Sequence, residues 1–213
     1  MVLEMSPATQ ADARRIAEIH MAAFEDNAML RAQFPTNMVR EALQRSVELK
    51  ASADIDDTNI TVLIVRDLHC QCKEKDNVIA FAKWSHPILD TENYVEAPWI
   101  WPDGTDEKIL AAWTKKTEEA FERAVGAVPC YRLTFIGTDP SHERRGAGSL
   151  LVGWGMERSR ADHAPIYLES TLEAAPFYRH LGFAAGETVS LQLSNIHSYV
   201  DGLYEEIVFT LTS

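Results

Sequence analysis

The order of apolar segments predicts an α/β (layered α+β) fold, in which helices flank one central mixed β-sheet of about seven strands. β-branched and aromatic runs of strand length recur along the chain, as in Ile60–Val65 and Tyr131–Thr138. Other segments carry apolar residues at helical spacing, as in Asp106–Val125. Because strands and helices in one chain bury their apolar faces against each other in layers, a single sheet covered by helices is the expected architecture.

The individual elements follow from these two periodicities. Strands are predicted at Val2–Met5, Ile60–Val65, Val78–Trp84, Tyr131–Thr138, Ile166–Ser170, Phe183–Leu193 and Glu205–Leu211. Helices are predicted at about 9–24, 37–51, 106–125, 149–160 and 173–181. The fourth helix is expected despite two internal glycines, each of which costs about 1 kcal/mol relative to alanine.

Length and charge limit the possible functions. The chain has 213 residues, of which 46% are hydrophobic and 24% charged, so we expect one domain over 1–213 with a core of its own. The net charge is −12, from 20 basic and 32 acidic residues, which argues against nucleic-acid binding because that needs a basic face. An acidic chain is compatible with a cationic substrate such as an amine.

Targeting and metal signals are not found in the sequence. The N-terminal residues carry no basic stretch followed by an apolar run, and no segment approaches the ~20 apolar residues that span a bilayer. The three cysteines, Cys70, Cys72 and Cys130, match neither a disulfide framework nor a zinc-site spacing. We therefore expect a protein of the cytoplasm or nucleus without a metal site, and leave open whether it is a monomer or a homodimer.

A long irregular segment, His86–Thr105, separates the third strand from the third helix. It contains three prolines together with Tyr94, Trp99 and Trp101. Loops of this length in a compact domain are often functional, so we expect the three aromatic residues to line a substrate site.

The segment Asp139–Leu151 carries the clearest chemical signal. It reads Asp-Pro-Ser-His-Glu-Arg-Arg-Gly-Ala-Gly-Ser-Leu-Leu and joins a strand to an amphipathic helix. Gly146 and Gly148 allow close backbone approach, and the free N–H groups of a helix start attract phosphate. The spacing matches neither a Walker loop nor a dinucleotide fingerprint, so a plain strand-to-helix turn remains an alternative on spacing alone.

Two motifs together resemble the acetyl-CoA-dependent GNAT superfamily of N-acetyltransferases. Arg-Arg-Gly-Ala-Gly at 144–148 resembles the family's cofactor loop, Gln/Arg-x-x-Gly-x-Gly/Ala. Tyr178-Arg-His-Leu-Gly-Phe resembles its second signature, Tyr-x-x-x-Gly-Phe. The resemblance is strongest over 131–193 and implies a sheet splayed between its fourth and fifth strands. There are two departures: Glu143 replaces the first Gln/Arg, and Thr171 replaces an asparagine.

The resemblance implies a set of cofactor-binding residues. Acetyl-CoA would lie in the splay, with the pantetheine arm along the backbone of Ile136 and Thr138 and near the hydroxyl of Thr171. The pyrophosphate would be held by the cofactor loop, which comprises Arg144, Arg145, Gly146, Ala147, Gly148 and Ser149.

The resemblance also gives Tyr178 the role of general acid, which protonates the departing thiolate. Its alternative role is a core aromatic residue beside Phe177 and Phe183. For the base we infer Glu169 from the residues themselves, because a carboxylate on an apolar strand is costly to bury without a partner or a task. An outward-facing or ion-paired glutamate is the alternative, and His86, His142 and His180 are rival bases.

The resulting functional hypothesis is direct acetyl transfer from acetyl-CoA to a primary amine in a ternary complex. A small-molecule amine is the favoured acceptor. Acetylation of a protein N-terminus or lysine is the alternative enzymatic reading. A GNAT-fold module that binds acyl-CoA without turnover is an alternative of another class.

Overall fold

The computed structural model of the chain describes residues 2–69, 77–88, 94–195 and 200–212. Most of the loop that joins the second and third predicted strands, including Cys70 and Cys72, lies outside the described residues. Five residues of the predicted substrate loop, 89–93, lie outside them too. Tyr94, Trp99 and Trp101 are all described.

The predicted elements are present, with small shifts of their ends. The described strands are β1 (Leu3–Pro7), β2 (Ile60–Asp67), β3 (Val78–Ser85), β4 (Tyr131–Thr138), β5 (Ile166–Thr171), β6 (Ala184–Asn195) and β7 (Val200–Leu211). The described helices are α1 (Ala13–Ala23), α2 (Ala28–Gln33), α3 (Asn37–Ile55), α4 (Glu107–Ala124), α5 (Ala147–Asp162) and α6 (Ala175–His180).

The strands form one mixed sheet in the order β1-β2-β3-β4-β5-β7-β6. Its neighbours are antiparallel except β4 and β5, which are parallel. The α/β prediction, with about seven strands and helices on the sheet, is therefore confirmed.

The parallel pair separates soon after it begins. β4 and β5 pair only from Tyr131↔Ile166 to Leu133↔Leu168, although β4 continues to Thr138 and β5 to Thr171. At the same point β4 carries one extra residue, because Trp84 pairs with Leu133 while the adjacent Lys83 pairs with Phe135. A β-bulge of this kind bends its strand, and here it directs β4 away from β5. The predicted splay between the fourth and fifth strands is confirmed.

The core covers both faces of the sheet. On one face, α5 and α6 pack Leu151 and Tyr178 against β3, β4 and β5. On the other, α1 and α3 pack against β2 and β3. Gly155 is required in α5 because a Cβ there would lie 2.3 Å from the indole of the fully buried Trp84. The glycine that weakens the isolated helix thus lets α5 approach the sheet closely.

Three features were not predicted. The short helix α2 was missed; it begins after Asn27, whose side chain accepts a hydrogen bond from the Leu30 amide. Helix α3 runs four residues beyond its predicted end, because Lys50 pairs with Asp54 one turn later. Strand β7 begins at Val200, five residues early, because it follows its long antiparallel partner β6.

Across the described ranges, no helix is both long and apolar enough to cross a bilayer. Among the same residues, no group of three or more His, Cys, Asp or Glu side chains is placed to hold a metal ion.

Candidate active site

A cavity of about 370 Å³ opens where β4 and β5 separate. Its floor is formed by Leu133–Ile136 of β4 and Glu169–Thr171 of β5. Tyr178 of α6 and Glu206 of β7 also line the cavity, as do residues of α1, of α2 and of the segment around Trp99. The separation of two parallel strands therefore creates a pocket in which backbone and side-chain polar groups meet.

The loop from β4 to α5 is anchored at its start by Asp139. This carboxylate accepts hydrogen bonds from Arg15 at 2.6 Å and from the Ser141 hydroxyl, also at 2.6 Å. Burial alone would raise the pKa of Asp139, but these bonds hold it at about 2. The anchor ties the loop to α1 and sets the direction from which the chain enters α5.

The start of α5 has the conformation expected of an anion-binding turn. Gly146 precedes the helix with φ of +92°, a left-handed conformation that favours glycine. The amides of Ala147, Gly148 and Ser149 occupy the first helical turn, where no intrahelical acceptor is available. The positive end of the helix dipole adds to their attraction for phosphate.

The basic residues of the loop differ in their surroundings. Arg144 is exposed and has φ of +60°, so its side chain is available to a ligand. Arg145 contacts Asp67 at the end of β2, 3.4 Å away, which leaves it partly neutralised. Glu143 is exposed, so the departure from the family pattern places its carboxylate in solvent.

The other residues expected to bind the pantetheine arm lie along the splay. Ile136 and Thr171 both line the cavity, and the Thr171 hydroxyl accepts a weak bond from the Ala174 amide at 3.4 Å. Thr138 pairs with Ala80 of β3 and is not part of the described cavity wall. Beyond Leu133 the edge of β4 that faces β5 has no strand partner among the described residues, so its backbone groups can pair with an extended polar chain. The residues present therefore fit a ligand that joins an anionic head to a narrow amide-containing arm.

Tyr178 is placed to meet such a ligand. Its side chain is only 4% exposed and packs against Phe177, Phe183 and Phe209, with ring centroids 5.2–5.8 Å apart. Within the described part of the chain its hydroxyl has no hydrogen-bond partner, although it faces the cavity. Burial, and then the negative charge of Glu206, raise the pKa of Tyr178 well above its usual value. The phenol thus keeps its proton at neutral pH and has it free to donate.

Glu169 lies in the cavity wall and is ion-paired. Its carboxylate accepts hydrogen bonds from Arg132 at 3.0 Å and from the Tyr167 hydroxyl at 2.9 Å, and its side chain is 12% exposed. Burial raises the pKa of Glu169, and the charge of Arg132 opposes that rise. Arg132 is itself held against the faces of the Phe121 and Tyr167 rings. Glu169 is therefore both shielded from solvent and ion-paired, which are the two surroundings that the sequence analysis considered for it.

A second carboxylate in the wall, that of the partly buried Glu206, was not predicted. It lies opposite Thr171 in the β5–β7 register and lines the same cavity. Its oxygen accepts a hydrogen bond from the Tyr204 hydroxyl at 2.5 Å, and that hydroxyl accepts one from Asn27 at 3.0 Å. Burial raises the pKa of Glu206 to about 7, opposed by the bond from Tyr204. Alternation along β7 places Tyr204, Glu206 and Val208 on one face, and this was the sequence signal that could have found it.

One part of the cavity wall is aromatic. Trp99 and Trp101 line it and are stacked, with ring centroids 4.5 Å apart and planes 5° from parallel. Trp101 also contacts Phe34, and Trp99 contacts Phe135 edge-on. These four rings form what we call the aromatic wall.

The prediction for Tyr94 differs from the structure. Its hydroxyl donates to Asp57 at 2.7 Å, and it is not among the described residues that line the cavity. The two tryptophans thus lie together in the cavity wall, whereas Tyr94 lies apart from them. The reason is that the segment passes the end of α3 at Tyr94 before it reaches the cavity.

A buried ion cluster fixes the segment that carries the aromatic wall. Glu96 accepts hydrogen bonds from Lys50 of α3 at 2.6 Å and from Lys83 of β3 at 2.5 Å. Both lysines also pair with Asp54. Two lysines and two carboxylates balance in charge, so the cluster ties residues 94–101 to the sheet and to α3 without a net buried charge.

Among the described residues, the three histidines considered as alternative bases do not line the cavity. His86 hydrogen-bonds the Thr61 hydroxyl at 2.8 Å, His142 interacts with Ser141, and His180 is exposed. His20 does line the cavity, but burial lowers its pKa to about 4, so it is neutral at physiological pH. Cys130 is buried just before β4, and burial raises the pKa of its thiol to about 11.

Comparisons with known proteins agree with this geometry. The model of the Acetyltransferase (GNAT) family matches residues 36–183. Probable acyltransferase SID5 of Ajellomyces capsulatus is 31% identical over 103 residues, which cover 45% of this chain and 76% of that protein.

Two solved structures resemble the chain in fold. One, from Corynebacterium glutamicum, is described as histone acetyltransferase HPA2 and related acetyltransferase; it has a TM-score of 0.61 at 20% identity and covers 100% of this chain and 98% of its own. The polyamine N-acetyltransferase of Drosophila melanogaster has a TM-score of 0.58 at 15% identity and covers 100% of both chains. The family match spans more than half of the chain and includes the splayed strands, the loop before α5 and Tyr178. The chain therefore belongs to the acetyltransferase (GNAT) family and is an acetyl-CoA-dependent N-acetyltransferase.

Proposed function

We propose that the protein transfers an acetyl group from acetyl-CoA to the primary amine of a small molecule with an apolar or aromatic body. The observation that carries this proposal is the cavity, whose lining combines the aromatic wall with Tyr178 and two carboxylates. Its volume of about 370 Å³ falls in the range of small-ligand sites, whose walls are mostly apolar with a few polar groups.

The carboxylates of the cavity wall suit an amine, and the aromatic wall suits the apolar substituent of that amine. An alkylammonium group is attracted to buried carboxylates, and the faces of Trp99 and Trp101 bind flat or aliphatic groups by contact. Stacked tryptophans fixed by the Glu96 cluster form a rigid surface, which loses little conformational entropy on binding. We assign Trp99 and Trp101 to acceptor binding because both belong to the aromatic wall. Tyr94 lies outside the wall and supports the segment that carries them.

Each element of the cofactor site has a task in this proposal. Bound acetyl-CoA supplies an acetyl group activated as a thioester. The amides of 147–149, with Arg144 and Arg145, hold the phosphates, and the free edge of β4 at Ile136–Thr138 orients the arm, with Thr171 across the splay. Tyr178 holds a proton at its hydroxyl for the departing sulfur, and a buried carboxylate, for which Glu169 is the sequence-based candidate, relieves the amine of its proton.

The acceptor class is tested by a CoA-release assay against a panel of amines. We expect amines that carry an aromatic or branched apolar group to exceed polyamines, free amino acids and peptides in kcat/KM by at least about 10-fold, which corresponds to about 1.4 kcal/mol of wall contact. Higher kcat/KM with peptides would favour a protein acceptor instead. Acetyl-CoA binding without release on any amine would favour the non-catalytic module.

The cofactor loop is tested by Gly146→Val. A β-branched residue strains the backbone at φ of +92° by about 1–2 kcal/mol, and relief of that strain would turn the amides of the first helical turn away from the phosphates. We expect the Kd for acetyl-CoA, measured by calorimetry, to rise at least about 10-fold. Gly126→Val is the matched control, since Gly126 also has a positive φ, of +58°, but lies after α4. An unchanged Kd in folded Gly146→Val protein would remove the loop from the site.

The role of Tyr178 is tested by Tyr178→Phe, which keeps the ring packing and removes the hydroxyl. Because the proton is needed only as negative charge develops on sulfur, we expect kcat to fall by roughly 10- to 10⁴-fold while acetyl-CoA affinity holds. Phe177→Leu, which alters the neighbouring ring, should change stability more than kcat. Normal kcat in Tyr178→Phe would leave this residue a purely structural role.

The Glu96 cluster is tested by Glu96→Gln. Loss of its charge leaves Lys50 and Lys83 without one of their two partners, so the segment that carries Trp99 and Trp101 should loosen. We expect the KM for the amine to rise by roughly 3- to 30-fold, about 0.7–2 kcal/mol, with little change in acetyl-CoA affinity. Asp103→Asn removes an exposed charge from the same segment and should leave KM unchanged. A rise in KM of similar size in both variants would contradict a specific role for the cluster.

A further inference from the structure

The cavity wall contains two partly buried carboxylates in different surroundings, and the proposed reaction needs only one proton acceptor. The Glu169 carboxylate lies 3.0 Å from the guanidinium of Arg132 and also accepts a hydrogen bond from the Tyr167 hydroxyl. Glu206 receives a single neutral hydroxyl, that of Tyr204. In the described part of the chain Glu206 forms no ion pair.

A proton is gained more easily by Glu206 than by Glu169. Protonation of Glu169 would leave Arg132 facing a neutral group, with the exposed carboxylate of Glu118 as its remaining counterion. A partly buried charge that is compensated only by a solvent-exposed partner is less stable than one in a full ion pair. Protonation of Glu206 strands no cation, and it relieves repulsion between the two carboxylates. Mutual repulsion of two carboxylates in one site raises the affinity of one of them for a proton.

The position of Glu206 is set by a chain of hydrogen bonds. Asn27, which also caps α2, donates to the Tyr204 hydroxyl, and Tyr204 donates to Glu206. This chain links β7 to the segment between α1 and α2, whose residues Phe24 and Asn27 also line the cavity. The other titratable or charged groups in the cavity wall are Glu169 of β5, Tyr178 of α6, Arg132 of β4 and His20 of α1.

We propose that Glu206 is the residue that accepts the proton of the incoming ammonium group, while the Glu169–Arg132 pair stays ionised and positions that ammonium group. This inference rests on the proposed function. The ammonium group gives one proton to the Glu206 carboxylate, which passes it to solvent, and its nitrogen then forms a bond to the acetyl carbon. The C–S bond breaks and its electron pair goes to sulfur, which takes the hydroxyl proton of Tyr178. The second proton of the amine nitrogen then restores the Tyr178 hydroxyl. The products are amide, thiol and one released proton.

The pKa of Glu206, which burial raises to about 7, gives this role a pH signature. A base works only when deprotonated, so activity should rise with pH up to that pKa and then level off. For wild type we expect kcat/KM for the amine to break near pH 7. For Glu206→Gln the break should be absent and the rate should keep rising toward the pKa of the amine, since only free amine then reacts. The loss at pH 7 should be roughly 10²- to 10⁴-fold.

Two further variants separate the carboxylates. Glu169→Gln removes a negative charge near Glu206, so the break should persist and move to lower pH. Tyr204→Phe removes the hydrogen bond that stabilises the carboxylate, so the break should move to higher pH. Glu205→Gln, on the opposite face of β7, is the matched control and should leave the profile unchanged. Tyr204→Phe also covers the case in which Glu206→Gln fails to fold.

A second readout needs neither substrate. In ligand-free protein with ¹³C-labelled glutamate carboxyls, the resonance missing from Glu206→Gln should titrate near pH 7 and shift upward in Tyr204→Phe. Titration of that resonance near its ordinary value of about 4.5 would overturn the proposal, as would a pH break that survives in Glu206→Gln and vanishes in Glu169→Gln. Absence of turnover with every amine would instead overturn the proposed function, and this inference with it.

Discussion

The separation of β4 from β5 is the constraint on which the rest of the site depends. The two strands share only three residue pairs before a bulge in β4 turns the strands apart. From that point, within the ranges that the structure describes, the backbone of β4 has no strand neighbour on one side. This would be costly in a closed interior because buried amide and carbonyl groups need partners. The free edge is therefore stable only if water or a ligand completes it, so the same feature that opens the cavity also provides the groups that line it.

The surrounding elements keep this opening in place. Helix α5 approaches the sheet closely through Gly155 against Trp84, and its N-terminus is thereby set at the end of the splay. The Asp139–Arg15 pair holds the loop before α5 to α1. On the other side, β7 continues the sheet beyond β5 and brings Glu206 under the cavity. A rigid frame around an open edge lets donors and acceptors be positioned before a ligand arrives.

Electrostatics distinguishes the loop before α5 from the cavity. The start of α5 is positive through its amides and the exposed Arg144, whereas the cavity wall contains Glu169 and Glu206. Burial raises the pKa of both carboxylates and of Tyr178, but the ion pair with Arg132 opposes this for Glu169 alone. Glu169 thus faces a charged partner, Glu206 is hydrogen-bonded to a neutral hydroxyl, and the phenol of Tyr178 keeps its proton at neutral pH. General acid–base catalysis of acyl transfer to an amine uses a proton donor and a proton acceptor within reach of the reacting atoms.

The sequence by itself determined the α/β class and the strands that make the sheet, and it singled out the loop with Gly146 and Tyr178 as candidate site residues, because each rests on a local period or on a short motif. It did not give Glu206, the pairing of Glu169 with Arg132, or the position of Tyr94 outside the cavity. Those depend on which strands lie side by side: Glu206 is adjacent to Thr171 only because β7 pairs with β5, although the two residues are far apart in the chain. Aromatic content indicated a substrate-side segment at 86–105, but the Glu96 ion cluster decided that Trp99 and Trp101 face the cavity. Local patterns specify elements, whereas the register between distant strands and the ion pairs between separate elements specify which side chains meet.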